Sequence, residues 1–342
     1  MRIVLDAMGG DHAPEVTVAG GIQAARDFGV TVVLVGPEDR VRQEMAKHGT
    51  RGADVVVVHA PEWIRMDEHP ATAVRAKPEN SMSVGLNLVK RGEADAFVTC
   101  GHTGAALAAS LFTLGRIRGI KRPALTTVFP TRTGFCLILD IGANADCRPV
   151  YLQQFALMGS MYARHVFGIP EPRVGLLSIG EEGGKGNTLV QETFALLETM
   201  PEIRFVGNVE PKEVLAGDAD VVVTDGFTGN IFIKTSEAVA AMLMEVIKEE
   251  IKRRPLAVGG ALLARGAFKA TYRRLDPREY GGAPLLGVNG IVVVGHGRSD
   301  AYAVRNAVRM GIRAVEGNIV FRVAEALTPY LQSQPAGVGS SN

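Results

Sequence analysis

Short runs of β-branched and other apolar residues alternate with longer stretches of helical periodicity along the chain. The runs are RIVLD, VTVVLV, ADVVVV, ADAFVT, FCLILDI, RVGLLSI, IRFVG, ADVVVT and GIVVVG. This alternation predicts βαβ units and an α/β fold, a mostly parallel sheet with helices on both faces. Polar residues scarcely interrupt the runs, as expected of strands buried from both sides. No internal repeat is visible. Residues 1–331 are expected to form one catalytic unit, and the QSQPAGVGSSN segment at 332–342 a disordered tail.

The segments just past the strands carry the chemistry. DAMGGDHAP (6–14), CGHTGA (100–105), DIGAN (140–144), GEEGGKGN (180–187), GNVE (207–210), DGFTGN (225–230) and GHGRSD (295–300) each join glycine to Asp, Asn, His, Lys or Glu. Ligands of parallel α/β sheets bind beyond the carboxyl ends of strands, so these loops are expected to share one edge and to form an anion site. Several open helices, whose first N–H groups point at an anion while glycine lets the backbone approach. The candidate phosphate and substrate ligands are Asp6, Gly9, Gly10, Asp11, His12, Gly101, His102, Thr103, Gly104, Asn144, Gly184, Gly186, Asn187, Asp225, Gly229, His296 and Ser299. Tight βα turns would explain single loops. They do not explain why Lys185, Asn187, Asn230, Asn144 and His102 accompany the glycines so regularly.

Nucleotide motifs fail on inspection. GEEGGKGN lacks the Ser or Thr that follows the lysine of a phosphate-binding Walker loop, and GHGRSD lacks the third glycine of the dinucleotide fingerprint. Lys185 reads as an active-site cation for phosphate or a developing oxyanion, with a solvated surface lysine as the alternative. Cys100 reads as a small buried strand-end residue, since no base can be paired with it. Asp218 and Asp220 precede a strand and Asp225 follows it, so a shared metal site is not expected.

Residues 236–274 read as a helical hairpin extending from the α/β unit. Val239, Met242, Leu243, Val246, Ile247 and Ile251 fall at helical spacing before Lys252, Arg253, Arg254 and Pro255. Beyond them, Leu256, Val258, Leu262, Leu263 and Phe268 lie among Arg265, Lys269, Arg273 and Arg274. From Lys248 to Arg274 eight basic residues face two acidic ones, a local net of +6 in a chain of net +1. Such a segment suits an anionic membrane surface or an acidic protein, and an apolar hairpin also suits a dimer interface.

Composition narrows the class. With 46% hydrophobic and 21% charged residues the 342-residue chain is an ordinary folded protein, and its 40 glycines lack a regular period. Near-neutral charge argues against a general nucleic-acid binder. Cys100, Cys136 and Cys147 form neither a disulfide framework nor a zinc site, which fits a reducing cytosol. The apolar run at the N-terminus is too short for a signal-peptide core, and no run is long enough to span a membrane.

Taken together these motifs resemble those of the bacterial phosphate acyltransferases of phospholipid synthesis. The resemblance covers residues 1 to 330 and rests on DAMGGDHAP, AVRAK with SM (73–82), GLNLVKRGEADAFVTCGHTGA, RPAL (122–125), LDIGAN, IGEEGGKGN, GNVE, DVVVTDGFTGN, YGGAPLLG (280–287) and HGRS (296–299). His102 departs from the pattern, which usually has Asn there, and the lead-in DPREYGGAP is looser than usual.

The resemblance implies a fold similar to phosphotransacetylases and to isocitrate and isopropylmalate dehydrogenases. It implies transfer of a fatty acyl group from the thioester of acyl carrier protein to inorganic phosphate. Lys185 and Asn230 would be catalytic, with no metal and no organic cofactor. It further implies a cytoplasmic homodimer held peripherally at the inner face of the membrane. Arg253, Arg254, Leu256, Val258, Leu262, Leu263, Arg265 and Lys269 would contact lipid or carrier protein. Two rival readings remain: a metal- and NAD-dependent decarboxylating dehydrogenase of the same fold, and a noncatalytic scaffold binding acyl carrier protein.

Overall fold

All nine patterned runs form strands in the computed structural model, which describes residues 1–333. They are β1 (Arg2–Asp6), β2 (Thr31–Gly36), β3 (Val55–His59), β4 (Ala96–Thr99), β6 (Phe135–Leu139), β7 (Arg173–Leu177), β8 (Arg204–Val209), β9 (Val221–Val223) and β11 (Ile291–Gly295). Two strands carry no such pattern: β5 (Ala124–Pro130), with adjacent threonines, and β10 (Gly282–Leu286), interrupted by Pro284. The helices are α1 (Glu15–Phe28), α2 (Glu38–Met45), α3 (Pro70–Ala76), α4 (Ser81–Lys90), α5 (Thr103–Thr113), α6 (Pro149–Phe167), α7 (Thr188–Glu198), α8 (Pro211–Ala216), α9 (Gly226–Lys252), α10 (Pro255–Leu263), α11 (Arg265–Leu275), α12 (Ala301–Glu316) and α13 (Ile319–Ser333). Of the expected tail, Gln332 and Ser333 close α13, and residues 334–342 lie outside the described residues.

The strands form one eleven-stranded sheet, ordered β3-β2-β1-β4-β11-β10-β5-β6-β9-β7-β8. The first five and the last four are parallel within each group. Between them β10 runs antiparallel to β11 and to β5, and β5 antiparallel to β6. Three reversals leave the two parallel groups pointing in opposite directions. The carboxyl ends of β1, β4 and β11 therefore leave one edge of the sheet, and those of β6, β7, β8 and β9 leave the other. The expectation that all strand-end loops share one edge does not hold, because the two unpatterned strands reverse the sheet.

Alternation of side chains across the strands divides the core. On one face Ile3, Val98, Val293, Val128, Leu137, Val223 and Leu176 join one continuous cluster under α1, α6, α7, α12 and α13. On the other face the core splits. Val4, Phe97, Val292 and Leu125 pack with α4 and α5, whereas Phe129, Ile138, Val222 and Val209 pack with α8 and α9. Ile141 packs against both clusters. The split lies over β5, which gives Leu125 to one cluster and Phe129 to the other, with α5 on the first and α9 on the second.

The hairpin's first helix begins at Gly226, ten residues before the expected boundary. At about 1.5 Å per residue its 27 residues reach roughly 40 Å, yet its buried residues are Gly226, Gly229 and Ile233, all in the first eight. The rest extends from the body with α10 and α11, neither of which buries a residue. Arg274 ties the returning end to the carbonyls of Thr131 and Arg132.

Candidate active site

Each loop cluster is built around a buried aspartate at a strand end. In the cluster of the first group, Asp6 accepts from the Thr99 hydroxyl at 2.8 Å and from the Met8 N–H at 3.1 Å, and Thr99 Oγ1 in turn accepts from Gly101 N–H at 3.0 Å. Burial pushes the Asp6 carboxyl above its ordinary range against the opposing pull of the Ser81 and Thr99 hydroxyls. A Cβ on Gly9 would lie 2.6 Å from Thr99 Oγ1 and 2.8 Å from Gly101 N, so only glycine closes these two loops. Asp11 N–H donates to the Gly297 carbonyl at 2.8 Å, and Gly10, at φ +114°, lies under the same carbonyl. The β1, β4 and β11 loops are thereby stitched into one unit.

In the cluster of the second group, Asp140 is fully buried and accepts five hydrogen bonds. Leu125, Ile141 and Ala143 N–H groups bond one oxygen at 2.7–3.1 Å, and the Asn144 N–H and Nδ2 bond the other at 2.6 and 2.9 Å. Asn144 Nδ2 also donates to the Pro123 carbonyl at 2.8 Å, so this candidate ligand has spent its donors on the scaffold. The N-terminus of α9 is pressed into this cradle: Gly226 N–H donates to the Asn144 carbonyl at 2.8 Å, and a Cβ on Gly229 would overlap the Asp140 carbonyl oxygen. Asn230, one residue on, lies over Gly142, exposed and without a hydrogen bond to any described residue.

The helix starts were expected to offer free N–H groups to an anion. Most cap themselves. His102 Nδ1 accepts from Gly104 N–H at 3.1 Å, Asn187 from Val190 at 3.0 Å, Asp225 from Thr228 at 2.8 Å, and Asp300 from Ala303 at 2.9 Å. These are N-cap positions, and their residue types and places before helical runs are the signal that a reading for ligands passes over. His102 fills by its ring nitrogen the acceptor role that an asparagine side chain can fill.

Uncommitted groups stand out against this background. Lys185 is exposed, forms no ion pair with a described residue, and sits on a loop held by Gln191, which donates to the carbonyls of Gly184 and Gly186. Beneath this loop the buried Ser178 hydroxyl and Asn208 Oδ1 have no partner among the described residues, although Asn208 Nδ2 bonds the Glu182 carbonyl at 2.8 Å. Ser178 follows β7 and Asn208 lies in β8, and neither was among the candidates. Thr103, Asp11 and His12 are exposed at the first edge, whereas Ser299 is buried beside Cys100. Burial pushes the Cys100 thiol up to about 12, which removes it as a nucleophile.

Among the described residues one carboxylate trio has metal-binding spacing: Glu181, Glu210 and Glu213 bring oxygens within 4.8 Å of one another, and the Lys212 ammonium sits among them at 3.4–3.8 Å. Asp220 pairs with Arg173 at 2.9 Å, and Asp225 caps its helix.

Half-buried Leu107, Ala108 and Leu111 of α5 pack on the same core cluster as Ile141, Ala143 and Ala283. Ile141 and Ala143 belong to the Asp140 loop, so apolar side chains adjoin the loop over which Asn230 lies.

Residues 1–322 match the model of the fatty acid synthesis protein family. The chain is similar to phosphate acyltransferase of Thermus thermophilus, 52% identical over 96% of this chain and 99% of that protein. It is likewise similar to phosphate acyltransferase of Herpetosiphon aurantiacus, at 49% identity over 96% and 98%. Among solved structures, a phosphotransacetylase from Streptococcus pyogenes superposes with a TM-score of 0.61 over 96% of this chain and 94% of that one, at 18% identity, which shows a common fold.

Proposed function

The chain belongs to the fatty acid synthesis protein family and is a phosphate acyltransferase, and from that premise we propose how its residues move an acyl group onto phosphate and what they meet. The observation that carries the reading is the pair of uncommitted polar side chains on strand-end loops of one edge, Asn230 over the Asp140 loop and Lys185 in the loop after β7. The acyl donor is the thioester of acyl carrier protein, and the product feeds phospholipid synthesis.

Phosphate near neutral pH is already an anion and needs no strong protein base. The protein positions it and stabilises charge. Lys185 and the backbone of its glycine loop hold phosphate. One phosphate oxygen attacks the acyl carbon, the Asn230 amide donates to the resulting oxyanion, and collapse breaks the C–S bond. No metal or organic cofactor enters this scheme. Support for Asn230 comes from its free amide at the start of α9, where the Gly229 contact fixes the backbone.

Among the described residues no helix is long and apolar enough to cross a membrane. Membrane attachment in this reading is peripheral, at the cytoplasmic face, through the hairpin. Leu256 and Leu263 are 94% and 92% exposed and Leu262 stands between, with Val258 beside them and Arg253, Arg254, Arg265 and Lys269 around them. Each cation contributes on the order of 1 kcal/mol near an anionic surface. The exposed row Val239, Met242, Leu243, Val246 and Ile247 of α9 suits a homodimer contact. Leu262→Glu with Leu263→Glu releases the protein from anionic vesicles and leaves soluble turnover intact. Lost turnover with retained vesicle binding assigns the tip to carrier-protein or dimer contact instead.

The deciding experiment mixes the protein with acyl-(acyl carrier protein) and phosphate and traps acyl phosphate with hydroxylamine as hydroxamate. Hydroxamate that depends on both substrates supports the reading. Its absence from folded protein refutes it.

A further inference from the structure

Thioester phosphorolysis handles two anions, the phosphate that arrives and the thiolate that leaves. Lys185 and Asn230 account for the first and for the oxyanion, and leave the departing sulfur without a partner. The structure supplies one on the same helix. Asn230, Lys234 and Glu237 follow one another at i, i+4 and i+7 and so form one row along α9. The row adjoins Gly226, Gly229 and Ile233, which press α9 onto the sheet, so it borders the buried face of the helix.

Lys234 lies about 6 Å beyond Asn230 by helical rise. Its charge reaches His296 of the first loop cluster. Lys234, Glu237, Arg298 and Asp11 are the charged groups whose fields reach that imidazole. His296 Nδ1 accepts from Arg298 N–H at 3.1 Å, which leaves the proton of the neutral ring on Nε2. Burial, and next the Lys234 charge, hold His296 below its ordinary range, so the ring serves as a neutral donor and Lys234 as the cation. The only tie on the Lys234 ammonium among the described residues is Glu237 at 3.2 Å, a half-exposed pair worth little in solvent and open to displacement by a bound anion.

We propose that Lys234, one turn beyond Asn230 on the same row of α9, is the seat of the departing thiolate. The assignment rests on the acyl-transfer reading above. In the step, an oxygen of HPO4²⁻ forms the C–O bond and the C–S electron pair leaves on sulfur. The Lys234 ammonium holds that charge until the proton released by phosphate reaches the thiolate. Phosphate, carbonyl and sulfur then occupy successive stations at Lys185, Asn230 and Lys234.

The test uses the full chain and the hydroxamate assay with acyl-(acyl carrier protein). Lys234→Met is expected to lower kcat about a hundredfold, the scale of one lost transition-state charge contact, with the KM for phosphate nearly unchanged. Lys234→Arg restores much of kcat, since charge and not proton donation is required. With a thiophenyl ester as donor, whose thiol is more acidic, the deficit of Lys234→Met narrows. The His296 titration followed by NMR moves upward in Lys234→Met, because a repelling cation is gone. A raised KM for phosphate at unchanged kcat makes Lys234 a phosphate contact and overturns the proposal, as does wild-type turnover or an unmoved His296 titration. If the wild-type protein yields no hydroxamate, it is the acyl-transfer reading that fails, and the His296 titration still reports whether Lys234 stands where the proposal needs it.

Discussion

The two loop clusters have the same signature in sequence, glycine with a polar residue after a buried strand, yet differ in how many polar groups they leave unspent. Around Asp6 the polar atoms largely bind one another: Thr99 bridges Asp6 and Gly101, His102 and Asp300 cap helices, and Ser299 is buried with Cys100. Around Asp140 five donors converge on one carboxylate, and that concentration lets the loop set its neighbours without using Lys185 or Asn230. A strand-end polar residue is thus scaffold unless its hydrogen-bonding capacity is left over. α9 starts in the Asp140 cradle and carries Lys234, whose charge reaches His296 of the other cluster.

Gly229→Ala strikes hardest at this contrast. Its Cβ meets the Asp140 carbonyl, a backbone atom that cannot turn aside, so the cost should exceed the roughly 1–3 kcal/mol of ordinary overpacking. Loss of turnover with a lowered melting temperature is expected, and a stable, active variant would disprove the cradle's role. Next come Lys185→Ala and Asn230→Ala, each expected to reduce turnover about a hundredfold without moving the melting temperature. Near-normal turnover in the folded variants removes them from the chemistry.

Thr99→Val probes the Asp6 side. It strips Asp6 and Gly101 N–H of a buried partner, and about 1–3 kcal/mol of stability should go, with a smaller loss of turnover than Asn230→Ala produces. If turnover instead falls as far as in Asn230→Ala, the Asp6 cluster is itself catalytic. His102→Asn preserves an N-cap acceptor and should leave both stability and turnover near wild type, whereas His102→Ala costs about 1 kcal/mol of stability on melting. The smallest expected effect is that of EDTA, which should leave hydroxamate formation unchanged. Inhibition reversed by added Mg²⁺ would require a metal in the mechanism.

Much of this was legible in the chain. Nine strands announced themselves by unbroken apolar runs, and the helical spacing of Val239 to Ile251 marked the hairpin. Lys185 and Asn230 were picked out beside their glycines and remain uncommitted in the fold. Asn144, Asn187 and His102 were picked out for the same reason and proved to be bonded to the backbone. Residue type and loop position do not distinguish the two outcomes, since an amide that caps a helix and one that awaits a ligand look alike until the neighbouring N–H groups are placed. Lys234 drew no notice because nothing near it in sequence is unusual. Its charge reaches His296, sixty-two residues away.

Short-range physics set the elements: apolar runs that must be buried become strands, periodic stripes become helices, and glycines mark where backbone approaches backbone. The direction of the sheet's second half emerged only from long-range pairing. That direction depends on β5 and β10, whose Thr126, Thr127 and Pro284 hide them from any pattern, and on three antiparallel pairings between residues as distant as Leu125 and Leu285. Pairing partners are chosen by the whole chain's burial and hydrogen bonding, not by local periodicity. For that reason the chemical groups could be named before the fold was known, but their sorting onto two edges, and the helix that reconnects them, could not.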